Sequence, residues 1–181
     1  MPFSFLSDFM SVAQLHQRSL ILFDLDGTLV DSAADLYRAM NLSLNRLGLP
    51  LVTEAQIRAW VGKGEAKLCE TVLEHLFGQV STQQQEQLLN TFVEIYAQEL
   101  CVNTQVYLGV LPFLDYCQSN DIAMACVTNK PEHLAKGILD ILELRPYFKM
   151  VIGGDSLSER KPHPLPLLHC MQVQNTSAVK T

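Results

Sequence analysis

Short apolar runs alternate with longer stretches of helical periodicity along this chain. Residues 20–23, 122–127 and 150–152 are continuous apolar runs, a pattern typical of strands buried in a parallel sheet. Apolar positions at helical spacing predict helices over residues 33–47, 53–60, 65–77, 81–100, 111–119 and 131–142. Because strands alternate with helices, we predict an α/β core whose parallel sheet is built from right-handed crossovers.

Two acids follow the first predicted strand. Asp24 and Asp26 are two residues apart, so on an extended chain both carboxylates point into one crevice, at the strand end where α/β sheets bind ligands. Gly27 allows the chain to turn after them. Carboxylates this close repel each other unless a cation or a division of roles relieves them. A nucleophile and a proton donor around a bound Mg²⁺ would be such a division.

Two other interpretations apply to these acids. A calcium loop that began at Asp24 would need a Glu at its twelfth position, and that position is Asp35. This spacing argues against a calcium site. A plain strand–turn–helix with solvated acids stays open from this segment alone.

The string FDLDGTLVDS at residues 23–32 resembles the first motif of the haloacid dehalogenase superfamily. The resemblance covers roughly residues 20–170 and implies a Rossmann-like parallel sheet with an inserted helical cap. It implies that Asp24 is an aspartyl nucleophile and Asp26 a general acid/base. The expected organisation is an N-terminal extension (1–19), a core (20–35 and 105–181) and a helical cap (36–104).

The superfamily's second motif resembles CVTNK at residues 126–130. Thr128 and Asn129 would donate hydrogen bonds to phosphoryl oxygens. Taken alone, this pair is also typical of a helix N-cap before Pro131. Lys130 either adds positive charge near the site or, in the interpretation that we favour, is an exposed lysine at the start of a helix.

Residues 153–167 resemble the third motif of the superfamily. Within the superfamily, this run is specifically similar to the corresponding segment of phosphoglycolate phosphatases. Lys161 would supply a cation between the nucleophile and the phosphate, although a lysine before proline is ordinarily a surface residue. Asp155 either orients the lysine loop or is a simple turn acid. In the expected cap, Gly62 and Lys63 match a loop that reaches over the active site, where Lys63 reads a substrate carboxylate or is an exposed loop lysine.

Composition and charge limit the classes of partner and the compartment that we expect for this protein. The net charge is −6 and the basic residues are scattered, so no nucleic-acid footprint is present. The five cysteines show no C-x-x-C pair and are interpreted as core residues in a reducing cytoplasm. No apolar run approaches a membrane span. The apolar patches of residues 1–19 predict an extension, or a start at Met10, rather than a signal peptide.

The fourth motif, which supplies further acids to the Mg²⁺ site of relatives, has no counterpart, since no acid follows Met171. We therefore expect a truncated relative in which Asp24 and Asp26 bind Mg²⁺ weakly. Its first strand would become a sheet edge. The expected function is Mg²⁺-dependent hydrolysis of 2-phosphoglycolate, a small phosphorylated metabolite, with activity reduced by truncation. The alternatives are an inactive remnant, a non-enzymatic binder of phosphorylated metabolites, and a phosphatase or mutase for another small phosphate ester.

Overall fold

The computed structural model describes residues 18–175 and holds five strands and seven α-helices in that range. Residues 1–17 of the predicted N-terminal extension lie outside the described residues. The strands are β1 (Leu20–Phe23), β2 (Val30–Asp31), β3 (Gln105–Val106), β4 (Ala123–Val127) and β5 (Met150–Ile152). The helices are α1 (Ala33–Arg46), α2 (Glu54–Trp60), α3 (Glu65–Phe77), α4 (Thr82–Gln98), α5 (Val110–Ser119), α6 (Glu132–Ile141) and α7 (Leu165–Val173).

The core sheet is parallel, with the strand order β1-β4-β5. Phe23 at the end of β1 lies opposite Cys126, and Val127 at the end of β4 lies opposite Ile152. The predicted α/β class is confirmed. Within residues 18–175, β1 is an edge strand, as predicted. The carboxyl ends of β1 and β4 therefore lie side by side.

Helices cover both faces of this sheet. On one face the Phe23 ring contacts the rings of Phe113 and Phe148 edge-on, at centroid distances of 6.0 and 5.8 Å. On the other face Leu20 and Ile152 belong to a buried cluster with Cys170 of α7. Burial on both faces explains why the three strands are apolar without alternation.

Helices α1–α4 carry most of residues 36–104, which we call the cap. Helix α4 packs against α1 and α3, with Phe92 and Tyr96 fully buried between them. The predicted starts of α2 and α4 are confirmed, because Thr53 and Ser81 each close a reciprocal capping box with the glutamine three residues later. No helix among residues 18–175 has both the length and the apolar character needed to span a membrane.

The sequence did not predict β2 and β3. These two-residue strands pair antiparallel, with Val30 opposite Val106, where the chain leaves the core and returns to it. Beside them Asp35, fully buried, accepts hydrogen bonds from the backbone and side chains of Asn103 and Thr104, at 2.6–3.0 Å. We call residues 30–35 and 103–106 the cap base.

Burial alone would raise the pKa of Asp35, but the hydrogen bonds from Thr104 and Asn103 hold it below its ordinary value. A buried and ionised carboxylate thus holds together the two chain segments that connect the cap to the core.

Candidate active site

The loop after β1 directs two acids into one cleft. Leu25 between them is fully buried, and its carbonyl accepts hydrogen bonds from the backbone N–H groups of Leu29 and Val30, at 2.9 and 3.1 Å. Gly27 takes a positive φ of 82°, which closes the turn. Asp24 and Asp26, on either side of this anchor, line the same cleft between core and cap.

Asp24 contacts the predicted lysine. Lys161 Nζ lies 2.9 Å from Asp24 Oδ1 and also donates a hydrogen bond to the carbonyl of Val127, at 2.6 Å. The N–H of Leu25 donates to the same Oδ1, at 2.8 Å. Within the described chain both contacts use Oδ1, which leaves Oδ2 as the oxygen available for attack. The Asp24 side chain is 33% exposed, so a ligand can reach it.

Asp26 lies in a different environment. Its side chain is only 11% exposed, Ser32 Oγ donates to its Oδ1, and Lys130 Nζ lies 3.6 Å from its Oδ2. The sequence analysis assigned no role to Ser32, which is buried just before the start of α1. The two acids therefore differ in access and in partners, as two separate roles require.

Thr128 and Asn129 follow β4 and line the cleft. Thr128 is buried, and its hydroxyl accepts a hydrogen bond from the N–H of Lys130, at 3.2 Å. The Asn129 amide donates to the carbonyl of Gly62 in the cap, at 3.4 Å. Asn129 Oδ1 is buried and has no hydrogen-bond partner among residues 18–175. The structure thus places both predicted phosphate-binding residues beside Asp24.

The prediction that Lys130 is an exposed lysine at a helix start was wrong. Its side chain is 1% exposed, and its ammonium group lies 3.0 Å from Glu65 Oε1 and 3.3 Å from the hydroxyl of Tyr96. Burial alone would lower the pKa of Lys130, but Asp26, Tyr96 and Glu65 raise it above its ordinary value. Glu65 and Tyr96 belong to the cap and are separated from Lys130 by 65 and 34 residues, so no local pattern reveals them.

The cap loop lies directly over the core. Gly62 lines the cleft, and Lys63 lines its outer part with Lys67, Arg160 and Lys161. Lys67 and Arg160 were missed by the sequence analysis: Lys67 lies outside the quoted motifs, and Arg160 lies within the third motif but was given no role. The outer cleft therefore presents four cationic side chains.

Gly64 determines how closely the cap approaches the core. It takes a φ of 87°, and a Cβ at this position would lie 2.9 Å from the carbonyl oxygen of Asn129. Only a residue without a side chain fits this contact without a shift of the backbone.

Asp155 has a role that neither sequence interpretation foresaw. Its Oδ1 accepts a hydrogen bond from the N–H of Glu132, at 2.7 Å, at the first residue of α6. It caps the helix that follows the second motif rather than orienting the loop of Lys161.

The oxygen donors near Asp24 suit Mg²⁺ in type but are few. Among residues 18–175, no group of three or more His, Cys, Asp or Glu side chains is arranged to hold a metal ion. Mg²⁺ commonly uses one or two carboxylates and takes its other ligands from substrate phosphate and water. Asp24 and Asp26 therefore fit an ion that shares its coordination with a bound phosphate.

The buried thiol behind the acids does not compete with them as a nucleophile. Burial, with a smaller contribution from the nearby carboxylates of Asp24 and Asp26, raises the pKa of Cys126 to about 12. This thiol therefore stays protonated, whereas the Asp24 side chain is ionisable and accessible from the cleft.

Comparisons with known proteins agree with this geometry. Residues 21–181 match the haloacid dehalogenase-like hydrolase family. The chain is 38% identical to a phosphoglycolate phosphatase of Nitrosococcus oceani and 39% identical to phosphoglycolate phosphatase 1 of Pseudomonas aeruginosa. These alignments cover 86% and 85% of this chain, but 69% and 57% of the respective relatives. This chain belongs to the haloacid dehalogenase-like hydrolase family.

Solved structures show the same fold. The crystal structure of a predicted phosphoglycolate phosphatase from Haemophilus somnus 129PT aligns with a TM-score of 0.85 and 29% identity, over 91% of this chain and 75% of that one. A haloacid dehalogenase-like hydrolase from Bacteroides fragilis aligns with a TM-score of 0.78 at 22% identity. The α/β core and the helical cap are therefore shared with proteins of this family.

Proposed function

We propose that this protein hydrolyses phosphate monoesters through an aspartyl-phosphate intermediate, with 2-phosphoglycolate as substrate. The observation that carries the proposal is the contact between Lys161 and Asp24, at 2.9 Å, beside a second acid and the two polar residues that follow β4. A carboxylate repels a phosphate dianion, and an ammonium group between the two offsets this repulsion. The sequence similarity to named phosphoglycolate phosphatases supports the choice of substrate.

Each of the two acids takes one role. Asp24 Oδ2 attacks phosphorus, the bond from phosphorus to the ester oxygen breaks, and Asp26 gives its proton to the leaving alkoxide. Asp26 then accepts a proton from the water that attacks the aspartyl-phosphate, which releases inorganic phosphate and restores Asp24. Thr128, Asn129 and Lys161 hold the phosphoryl oxygens. Bound Mg²⁺, held by the Asp24 carboxylate and the backbone carbonyl of Asp26, would offset negative charge at the phosphoryl group.

The outer cleft suits a second anionic group on the substrate. Lys63, Lys67 and Arg160 line it together with Asp24 and Lys161. In 2-phosphoglycolate the carboxylate lies only two carbons from the ester oxygen, so one ligand reaches both regions. We assign Gly62 and Lys63 to substrate binding on this basis.

A second candidate function is the binding of phosphorylated metabolites without turnover. It is favoured by the cationic side chains of Lys63, Lys67 and Arg160 in the outer cleft, which can hold an anionic ligand without cleaving it. The two candidates share the cleft and differ in whether the phosphate ester is cleaved.

Phosphate release from 2-phosphoglycolate tests the proposal. The purified chain is assayed with and without Mg²⁺ beside an Asp24→Asn variant, and circular dichroism verifies that both are folded. We expect Mg²⁺-dependent release that disappears in the variant. Folded protein that binds 2-phosphoglycolate but releases no phosphate would overturn the enzymatic proposal in favour of the binding function.

A further inference from the structure

The buried ammonium group of Lys130 joins the cap to the core. It lies 3.0 Å from Glu65 Oε1 at the start of α3 and 3.3 Å from the Tyr96 hydroxyl in α4, and it sits 4.5 Å from the centre of the Tyr96 ring. On the core side it lies 3.6 Å from Asp26 Oδ2. One cation thus contacts two cap helices and the predicted general acid/base.

We propose that Lys130 and Glu65 form a latch that seats the cap over the phosphate cleft and positions Asp26 within it. Both residues are therefore positioning residues, which act on the reaction through Asp26 and the cap loop. The inference goes beyond the proposed function, since the latch can be tested whether or not the chain turns over its substrate.

The position of the pair supports a role in the cleft rather than in general stability. Glu65 directly follows Gly64, the glycine at which the cap touches the carbonyl of Asn129. Glu65 and Lys130 line the same cleft as Asp24 and Asp26. The latch therefore lies where the cap loop meets the predicted phosphate-binding residues.

The second oxygen of Glu65 also points to a ligand. Glu65 is 6% exposed, and its Oε2 is buried with no hydrogen-bond partner among the described residues. A buried acceptor without a partner costs free energy, so stability alone does not account for this arrangement. The open acceptor suits a water molecule or a donor group of the ligand within the closed cleft.

Net charge provides a way to separate the two roles of the latch. The cleft holds three carboxylates, those of Asp24, Asp26 and Glu65, against the two ammonium groups of Lys130 and Lys161. A Lys130→Met change removes one positive charge, which leaves two carboxylates beside each other without their cation. A Lys130→Met/Glu65→Met double variant removes one charge of each sign, so the cleft keeps its net charge and loses only the latch.

The experiment combines urea unfolding with the binding of inorganic phosphate, measured by calorimetry. Lys130→Met is expected to lower the urea midpoint and to weaken phosphate binding roughly tenfold or more, because the cap loop and Asp26 lose the buried, charge-assisted contact that positions them. The double variant is expected to regain most of the urea midpoint but not the phosphate affinity. Glu65→Gln, which keeps an acceptor for Lys130, is expected to stay close to the unmodified protein.

An exposed ion pair within the cap supplies the matched control. Arg46 and Glu94 lie 3.1 Å apart between α1 and α4, and both side chains are more than half exposed. Arg46→Met is expected to leave phosphate affinity unchanged. If the double variant regained phosphate affinity along with stability, Lys130 would be a structural support only and the positioning role would be overturned.

Two further outcomes keep this proposal separate from the proposed function. If the unmodified protein does not bind phosphate, the proposed function fails, and the latch is judged by whether the urea effects of the two single Met variants and the double variant are non-additive. Additive effects would show that the two residues do not interact, which would overturn the latch.

Discussion

Two buried carboxylates, Asp35 at the cap base and Glu65 in the cleft, differ in how completely their oxygens are hydrogen-bonded. At the cap base both oxygens of Asp35 accept hydrogen bonds from Asn103 and Thr104. In the cleft, Glu65 pairs with Lys130 through one oxygen, and its other oxygen has no partner within the described residues. Buried polar groups are nearly always satisfied where their role is structural, so the cap base is built for stability and the cleft for a ligand.

The closest partners of the two carboxylates differ in charge as well. Asp35 accepts its hydrogen bonds from backbone N–H groups, a hydroxyl and an amide, which are neutral donors, and the cationic Arg38 Nε lies farther away, at 3.9 Å from its Oδ1. Glu65 faces an ammonium group that is shared with Asp26. A site that must accept a dianion and release a product needs charges whose balance a ligand can change, whereas a structural connection does not.

The largest effect is expected at the cap base. Asp35→Ala removes the acceptor of several buried donors and should lower the free energy of unfolding by about 3 kcal/mol, measured by urea denaturation. Asp35→Asn, which keeps one acceptor oxygen, should cost less. A loss for Asp35→Ala as small as that of an exposed substitution would contradict a stabilising role for the cap base.

Stability should also depend on pH through Asp35. Its pKa in the folded protein is lower than the ordinary value of 3.8, so its contribution is fully present above that value and is lost as pH falls through the folded pKa. Urea midpoints measured from neutral to acidic pH should therefore fall less steeply in Asp35→Asn than in the unmodified protein. Identical slopes in the two proteins would exclude this residue as a source of acid sensitivity.

A matched pair of glycine substitutions probes the seating of the cap. Gly64→Ala should destabilise by about 2 kcal/mol, because strain at positive φ adds to a Cβ placed 2.9 Å from the Asn129 carbonyl. Gly62→Ala meets nothing within 4 Å, so it isolates the effect of positive φ. Phosphate affinity should fall more in the first variant, and equal losses in both would remove the close contact as a determinant of the cleft.

The smallest effect is expected away from both regions. Thr53→Ala removes the N-cap of α2 and should cost about 1 kcal/mol of unfolding free energy. Thr53 lies at the N-terminal end of α2, whereas Arg58, nearer the C-terminal end, contacts Asp31 of the cap base at 2.8 Å. Because loss of the N-cap frays only the first turn of the helix, phosphate affinity should not change. A loss of affinity here would mean that any destabilisation of the cap weakens the cleft, and the comparison of the two regions would lose its meaning.

Features set by local chemistry were predictable from the sequence. The long cap helix was predicted to begin at Ser81 because apolar residues at helical spacing are a local signal. The apolar run of β5 was correctly bounded for the same reason. The close approach of Asp24, Thr128 and Lys161 followed from the order of motifs on a parallel sheet.

Features set by distant partners were not predictable. The short strands β2 and β3 are too brief for any periodicity to appear. Lys130 was taken as exposed because a lysine at a helix start usually is, and its partner Glu65 lies 65 residues away in the sequence. The cap base was missed in the same way, since Asp35 and Thr104 meet only after the cap has folded.

The direct test of the central claim is the detection of phosphate on Asp24. The chain is mixed with 2-phosphoglycolate and Mg²⁺, quenched in acid, digested and analysed by mass spectrometry. The account predicts a phosphoryl group on the peptide that contains Asp24, and its loss in Asp24→Asn. Phosphate release without any phosphorylated peptide, or a phosphoryl group on another residue, would contradict the assignment of Asp24 as the nucleophile.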